Sequence, residues 1–420
     1  MATLIRNGTI WDGTGAAPFA GELLVNGSRI ERVQAGAIAA APGTDVIDAQ
    51  GLWLMPGLVE GHAHLSFCGA TKNTDLGDIP PEEHVLQTMY NARTLIEHGF
   101  TSAFSAASAK LRLDVVVRNE INAGRIPGPR LRAAGPEITV TAGLGDENRA
   151  HMDRSSFAIV ADGCDAITRA VRTCIREGCD NVKINISGDD FVPAAKGGMT
   201  VMRDDEIRTA VEIAHSFGKM VAAHCRASDS VKAAVRHGVD VIYHCEFADE
   251  EALDMLEAAK DRVFLAPAIG LIWNTLHEAQ PWGITFENAR DLGLERVMES
   301  AMRTYEKVRK RGLRVAIGGD YGFAWVPQGT NARDIEHFVK LFGYSTSEAL
   351  QCATRIGGQM MGNDIGTLKA GQRADLLLVD GDPLKDVSVL QDAQRLLLIM
   401  KDGVACKNTL AGREGRRAAA

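Results

Sequence analysis

Apolar positions along this chain follow two alternating rhythms. Short apolar runs such as Asn181-Val-Lys-Ile184, Met220-Val-Ala-Ala223 and Val239-Asp-Val-Ile242 have strand length. Between them, Ala166, Ile167, Ala170, Val171, Cys174 and Ile175 fall at helical spacing and are closed by Gly178. Ile207, Ala210, Val211 and Ala214 form the next stripe, with Gly218 expected as its C-terminal cap. A third helix is predicted over Val231 to Val235, before Gly238. Strands alternating with amphipathic helices predict parallel β/α architecture. Adding Leu58 to His64, Thr101 to Phe104, Arg130 to Ala133, Val263 to Leu265 and Leu313 to Ile317 gives about eight units, the number that closes a (β/α)8 TIM barrel.

The two ends of the chain carry a different rhythm. Leu4 to Ile10, Glu22 to Val25 and Ile30 to Val33 read as strands, the last two flanking the hairpin signal Asn26-Gly27. Val46 to Asp48 and Gly51 to Leu54 continue the pattern. Near the other end, Leu376 to Val379 and Leu396 to Met400 read likewise. Neither cluster makes a comfortable domain alone. Together they predict a small β-sandwich from residues 1–55 and 362–412, around a barrel of residues 56–361. The tail Arg413 to Ala420 is expected to be disordered.

Composition narrows the function. The chain has 420 residues and a formal net charge of −8, which argues against nucleic acid or an anionic membrane surface as partner. No apolar run approaches the ~18 residues of a membrane span, and the first residues lack the apolar core of a secretory signal. The eight cysteines form no Cys-x-x-Cys pair. They read as reduced thiols, which with the foregoing predicts a cytoplasmic protein.

The chemistry gathers at predicted strand ends. In His62-Ala-His64, two imidazoles at i and i+2 of a strand share a face and can chelate one metal. Lys183, His224, His244 and Asp320 lie at the ends of later predicted strands. Singly, each has an ordinary explanation: a solvated cap for Lys183, a core position for either histidine, a helix N-cap for Asp320. In β/α barrels, however, the C-terminal strand ends converge on one mouth. The joint pattern points to a metal site.

In order and spacing these six residues resemble the binuclear metal site of the amidohydrolase superfamily. The N-terminal strands and Lys369-Ala-Gly-Gln-Arg-Ala-Asp-Leu-Leu-Leu-Val-Asp-Gly-Asp-Pro383 resemble its discontinuous β-sandwich. The resemblance spans nearly the whole chain and is nearest to the imidazolonepropionase-related branch, with metal-dependent prolidases, ochratoxin-type amidases and phenylurea hydrolases. It implies two divalent ions. His62, His64 and Asp320 would hold one, and His224 and His244 the other. Lys183, carboxylated by carbon dioxide, would bridge them. Zinc suits such ligands; manganese or cobalt can also serve. Water between two cations loses a proton near neutral pH. The hydroxide would attack an amide carbonyl, while Asp320 takes the proton and delivers it to the leaving nitrogen. Mononuclear deaminases of the superfamily carry a glutamate three residues after the histidine matching His224; here that position is Ala227. Glu246 is the one nearby acid.

Three further expectations concern substrate. Arg226 either clamps a carboxylate or urea carbonyl or is exposed and paired with Asp229. His151, in a polar predicted mouth loop, is a candidate to polarise the substrate carbonyl. Trp273, His277 and Trp282, with Phe323 and Trp325, are expected to line an apolar pocket. Strand alternation turns Tyr243, Cys225 and Cys245 away from the mouth. The resulting expectation is hydrolysis of a small-molecule amide, an N-acyl amino acid or dipeptide-like compound with an apolar or aromatic group. An aryl urea or carbamate hydrolase, a deaminase and a non-catalytic scaffold are the alternatives. Relatives are commonly homo-oligomers.

Overall fold

A computed structural model describes residues 2–362 and 364–410; the expected disordered tail, and residues 411 and 412 of the expected terminal domain, lie outside them. Parallel strands Glu137–Thr139, Asn181–Asn185, Met220–Cys225, Val241–His244 and Phe264–Ala266 pair in that order, with Ala158–Val160 at the outer edge. A second parallel group joins Leu58–Ala63, Phe100–Ser105 and Arg130–Arg132.

Contacts continue between the groups. Ala134 bridges Asn181, and Leu265 bridges Val315. The Gly61 amide donates to the Ile317 carbonyl at 2.9 Å. The expected strand Leu313 to Ile317 is thus a single bridge with flanking hydrogen bonds. Regular pairing stops there because the chain turns sharply just beyond, where Asp320 takes φ +63°.

Alternation along these strands serves two cores. Val182, Ile184, Val221, Ala223, Cys225 and Ile242 pack outward against helical residues such as Ile167, Val171, Ile207 and Val211. Ala222, Val241 and Tyr243 face inward with Phe104, Ala316 and Met360. Burial on both sides explains why the strands read as continuous apolar runs. The helices Cys164–Arg176, Asp204–Ser216 and Ser228–His237 enclose the three predicted stripes. Past the second, Gly218 takes φ +66°, a conformation costly for other residues.

The chain ends meet in one hydrogen-bonded sheet. Its path runs from Val404–Asn408 through Leu396–Lys401, Leu376–Val379, Trp53–Pro56, Ala2–Ile10 and Phe19–Asn26 to Arg29–Ala35, with Asp45–Asp48 beside Ala2–Ile10. Leu376, Leu378, Leu398 and Met400 join a separate apolar cluster with Ile5, Ile10 and Leu23. Leu377, Val379, Leu396 and Ile399 belong to the main core. Alternation along Leu376–Val379, with a register shift opposite Leu396 to Leu398, therefore fastens the terminal sheet to the parallel strands through one face and gives it its own core on the other. Among the described residues, no helix is long and apolar enough to cross a membrane.

Candidate metal centre

All six predicted ligand residues line one cavity of about 620 Å³. His62 lies in the strand Leu58–Ala63 and His64 just past its end, with ring centroids 5.1 Å apart. Asp320 Oδ1 stands 3.9 Å from His62 Nε2 and 3.2 Å from His64 Nε2. His224 and His244, on neighbouring strands, have centroids 4.2 Å apart. Lys183 Nζ is 3.3 Å from Glu137 Oε1 and 5.1 Å from the Tyr243 ring centroid.

Local backbone makes this convergence possible. Simple alternation would turn His244 outward, because Tyr243 points inward. His244 has φ +74° and Cys245 φ +62°, so the strand ends in a turn that brings the imidazole back. This corrects the expectation for Tyr243: its ring stacks on His62 at 3.8 Å, and its hydroxyl donates to the Gly61 carbonyl at 3.0 Å. Cys225 and Cys245 do point outward, into the main core.

The electrostatics suit ligands. Burial pushes His62 and His244 well below the usual imidazole range and His224 down to about 4, so all three offer neutral rings at pH 7. Burial acts to raise Asp320, but His62, His64 and Lys183 outweigh it and hold its carboxyl below the ordinary range. His62, His244 and Asp320 each present a donor atom, all within 4.8 Å of one another. The Nδ1 atoms of His62 and His244 are buried without a hydrogen-bond partner. Buried polar atoms are rarely left orphaned; neutral imidazoles beside an ionised carboxylate fit a divalent cation.

The two other predicted catalytic residues are placed elsewhere. His151 is exposed on its loop, and Glu147, Asn148 and Arg149 line the cavity there instead. Arg226 is buried rather than exposed, and it does not line the cavity. Its Nε donates to Asp189 Oδ2 at 2.8 Å and its Nη1 to Glu246 Oε1 at 2.5 Å. The expected pairing with Asp229 is not formed, since Asp229 lies at the surface, 3.8 Å from Lys232. The physical reason is charge balance: a guanidinium drawn into the interior needs carboxylates around it. Phe323 and Trp325 line the cavity with Phe67, Phe157 and Phe191, whereas Trp273, His277 and Trp282 do not. Phe67 stacks on His64 at 4.1 Å, joining the aromatic wall to the ligands.

Sequence reasoning missed Glu137, which lies between Lys183 and Asn185 Nδ2. Its signal was a lone acid within the apolar stretch Ala133 to Val140. It also missed Asp189, which lies 3.6 Å from His224 Nε2 and pairs with Arg226.

A family model described as "Amidohydrolase family" matches residues 53–406. The chain belongs to the amidohydrolase family. It is 25% identical over 386 residues to ochratoxinase from Aspergillus niger, covering 87% of this chain and 78% of that protein. The crystal structure of another amidohydrolase superposes with a TM-score of 0.88 at 26% identity, covering 98% of this chain and all (100%) of the other. A Xaa-Pro dipeptidase with bound methionine in its active site gives 0.85 at 25%, covering 97% and 100%. This amidohydrolase is accordingly a hydrolase acting on carbon–nitrogen bonds.

Proposed function

We propose that this amidohydrolase cleaves the C–N bond of a small-molecule amide, an N-acyl amino acid or dipeptide-like compound bearing an apolar or aromatic group. One observation carries the reading: the six ligand candidates and the wall of Phe67, Phe157, Phe191, Phe323 and Trp325 share one cavity. Its volume of about 620 Å³ suits a drug-sized molecule. The named relatives, an ochratoxinase and a Xaa-Pro dipeptidase, agree with such a bond.

In this reading the site takes two divalent ions, with zinc the metal best suited to its donors and manganese or cobalt able to replace it. His62, His64 and Asp320 would hold one and His224 and His244 the other, and Lys183, once carboxylated by carbon dioxide, would supply a further anionic ligand. The cations supply Lewis acidity, which polarises a carbonyl oxygen and makes water nucleophilic near neutral pH. The chain supplies the rest. The aromatic wall holds the apolar group and excludes water from it. Asp320 takes a proton on its carboxylate and passes it to the leaving nitrogen, so the amine departs neutral. The strand contacts support a closed (β/α)8 barrel over residues 56–361, with the single sheet built from both chain ends as a second, smaller domain. A cytoplasmic homo-oligomer without nucleic-acid or membrane partners completes the proposal.

One observation favours a second reading. Arg226, the cation expected to receive a carboxylate, is already taken by Asp189 and Glu246. A neutral aryl urea or carbamate needs no such cation. The test is a screen of the zinc-loaded and chelator-treated protein against dipeptides, N-acyl amino acids and aryl ureas. Metal-dependent release of an amine from the first two classes supports the leading reading, and release from ureas alone replaces it with the second. Ammonia released from a ring amine, with no acyl bond cut, would refute both.

A further inference from the structure

One short segment outside the ligand residues touches both sides of the His62–His64–Asp320 group. Residues 328–334 lead into the helix Arg333–Phe342. The Gln328 amide donates from one nitrogen to two carbonyls, that of His64 at 3.2 Å and that of Tyr321 at 2.8 Å. Asn331 Nδ2 donates to Glu60 Oε2 at 2.9 Å, and the other oxygen of Glu60 accepts the His62 backbone N–H at 3.0 Å. Asp334 accepts the Gly318 N–H at 3.2 Å and the Tyr321 hydroxyl at 3.1 Å. Glu60, Asn331 and Asp334 are buried.

The segment therefore binds the backbone of His64 directly and that of His62 through Glu60 on one side, and the backbone flanking Asp320 on the other. Strand pairing does not do this. It reaches the Gly61–Ile317 hydrogen bond, after which the chain turns and Asp320 takes φ +63°. The approach is also close: a Cβ on Gly318 would stand 2.5 Å from His62 Cβ. Beyond the paired strands, side-chain hydrogen bonds from a third element join loop backbone bonds, Gly69 N–H to the Gly322 carbonyl and Leu271 N–H to the Gly319 carbonyl, each at 2.8 Å, in fixing that distance.

We propose that Gln328, Asn331 and Asp334 are positioning residues that set the spacing between the His62–His64 pair and Asp320, and thereby the affinity of the site for a divalent cation. The proposal rests on the metal-dependent reading above, but not on any substrate. The test compares the full-length wild type with Gln328→Met, which keeps the side chain's bulk and removes its donor. Zinc retention is measured by chelator competition and the coordination geometry by the visible spectrum of the cobalt-loaded protein. Thermal unfolding of the metal-free form is followed alongside. Weakening by about 10–100-fold, typical for groups that orient metal ligands, with a changed cobalt spectrum, is the expected result. Unchanged retention and spectrum overturn the proposal, even if the metal-free protein melts earlier, since that would mark an ordinary structural role. Should Gln328→Met fail to fold, Asn331→Ala carries the same comparison. A wild type that retains no cation would overturn the metal-dependent reading and this proposal together, whereas a wild type that binds zinc as tightly as Gln328→Met overturns this proposal alone.

Discussion

His64 Nε2 lies 3.2 Å from Asp320 Oδ1, so a carboxylate held ionised at the cavity wall touches an imidazole of the paired motif. Asp320 is thus placed both to bind a cation and to carry a proton. Asp320→Asn keeps the shape and removes the basic oxygen. Its kcat is expected to fall about 10²–10⁴-fold, the range of general acid–base catalysis. A variant retaining wild-type turnover with any amide that the wild type cleaves would remove Asp320 from the mechanism.

Arg226 is held in buried ion pairs with Asp189 and Glu246. Its guanidinium, 1% exposed, balances the buried carboxylates of Asp189 and Glu246. Removing one partner of a buried ion pair typically costs about 3–5 kcal/mol. Arg226→Met is expected to lower the urea midpoint accordingly, and any rise in KM should be equal for carboxylate-bearing and neutral substrates. A selective loss for carboxylates, at unchanged stability, would restore the clamp.

What was legible in the sequence followed from local periodicity. His62, His64 and Lys183 can be placed because strands alternate, and the helical stripes over 166–175 and 207–214 because period 3.6 is regular. Tyr243 was misplaced because two consecutive positive-φ residues, His244 and Cys245, break the alternation. Arg226 could not be read because its partner Asp189 comes from another loop, and such pairings are tertiary. The Asp189 loop also hydrogen-bonds His224, whose Nε2 lies 3.0 Å from the Gly188 carbonyl. Glu137 escaped because the predicted strand stopped at Ala133, whereas the chain forms a second short strand, Glu137–Thr139, beside Asn181–Asn185.

The aromatic wall gives a specificity prediction. Phe323 lines the cavity, and its ring lies 5.4 Å from Phe67 and 5.5 Å from Trp325. Phe323→Ala removes apolar contact on the substrate side of the ligands. It should raise KM about tenfold for a substrate with an aromatic group, within the range for changed apolar pocket contacts. An aliphatic analogue should be affected less. Equal changes for both would place the substrate's apolar group elsewhere.

Stability should depend on pH through a histidine outside the ligand set. His337, on the helix Arg333–Phe342, is buried beside Trp273 at 5.3 Å between ring centroids. Burial, aided by Arg333, lowers its pKa to about 4, against ~6.5 in the unfolded chain. Between those values the unfolded chain binds a proton that the folded protein refuses. Stability from this residue is therefore fully present above pH ~6.5 and lost as the pH falls toward about 4. His62, His224 and His244 share this direction, so the wild-type slope alone does not isolate His337. His337→Phe keeps an aromatic ring against Trp273 and cannot titrate. Urea midpoints of both proteins at pH 7.5 and pH 5 give the comparison, and the wild type should lose more stability than the variant over that interval. Parallel losses would show that His337 takes up its proton as readily folded as unfolded.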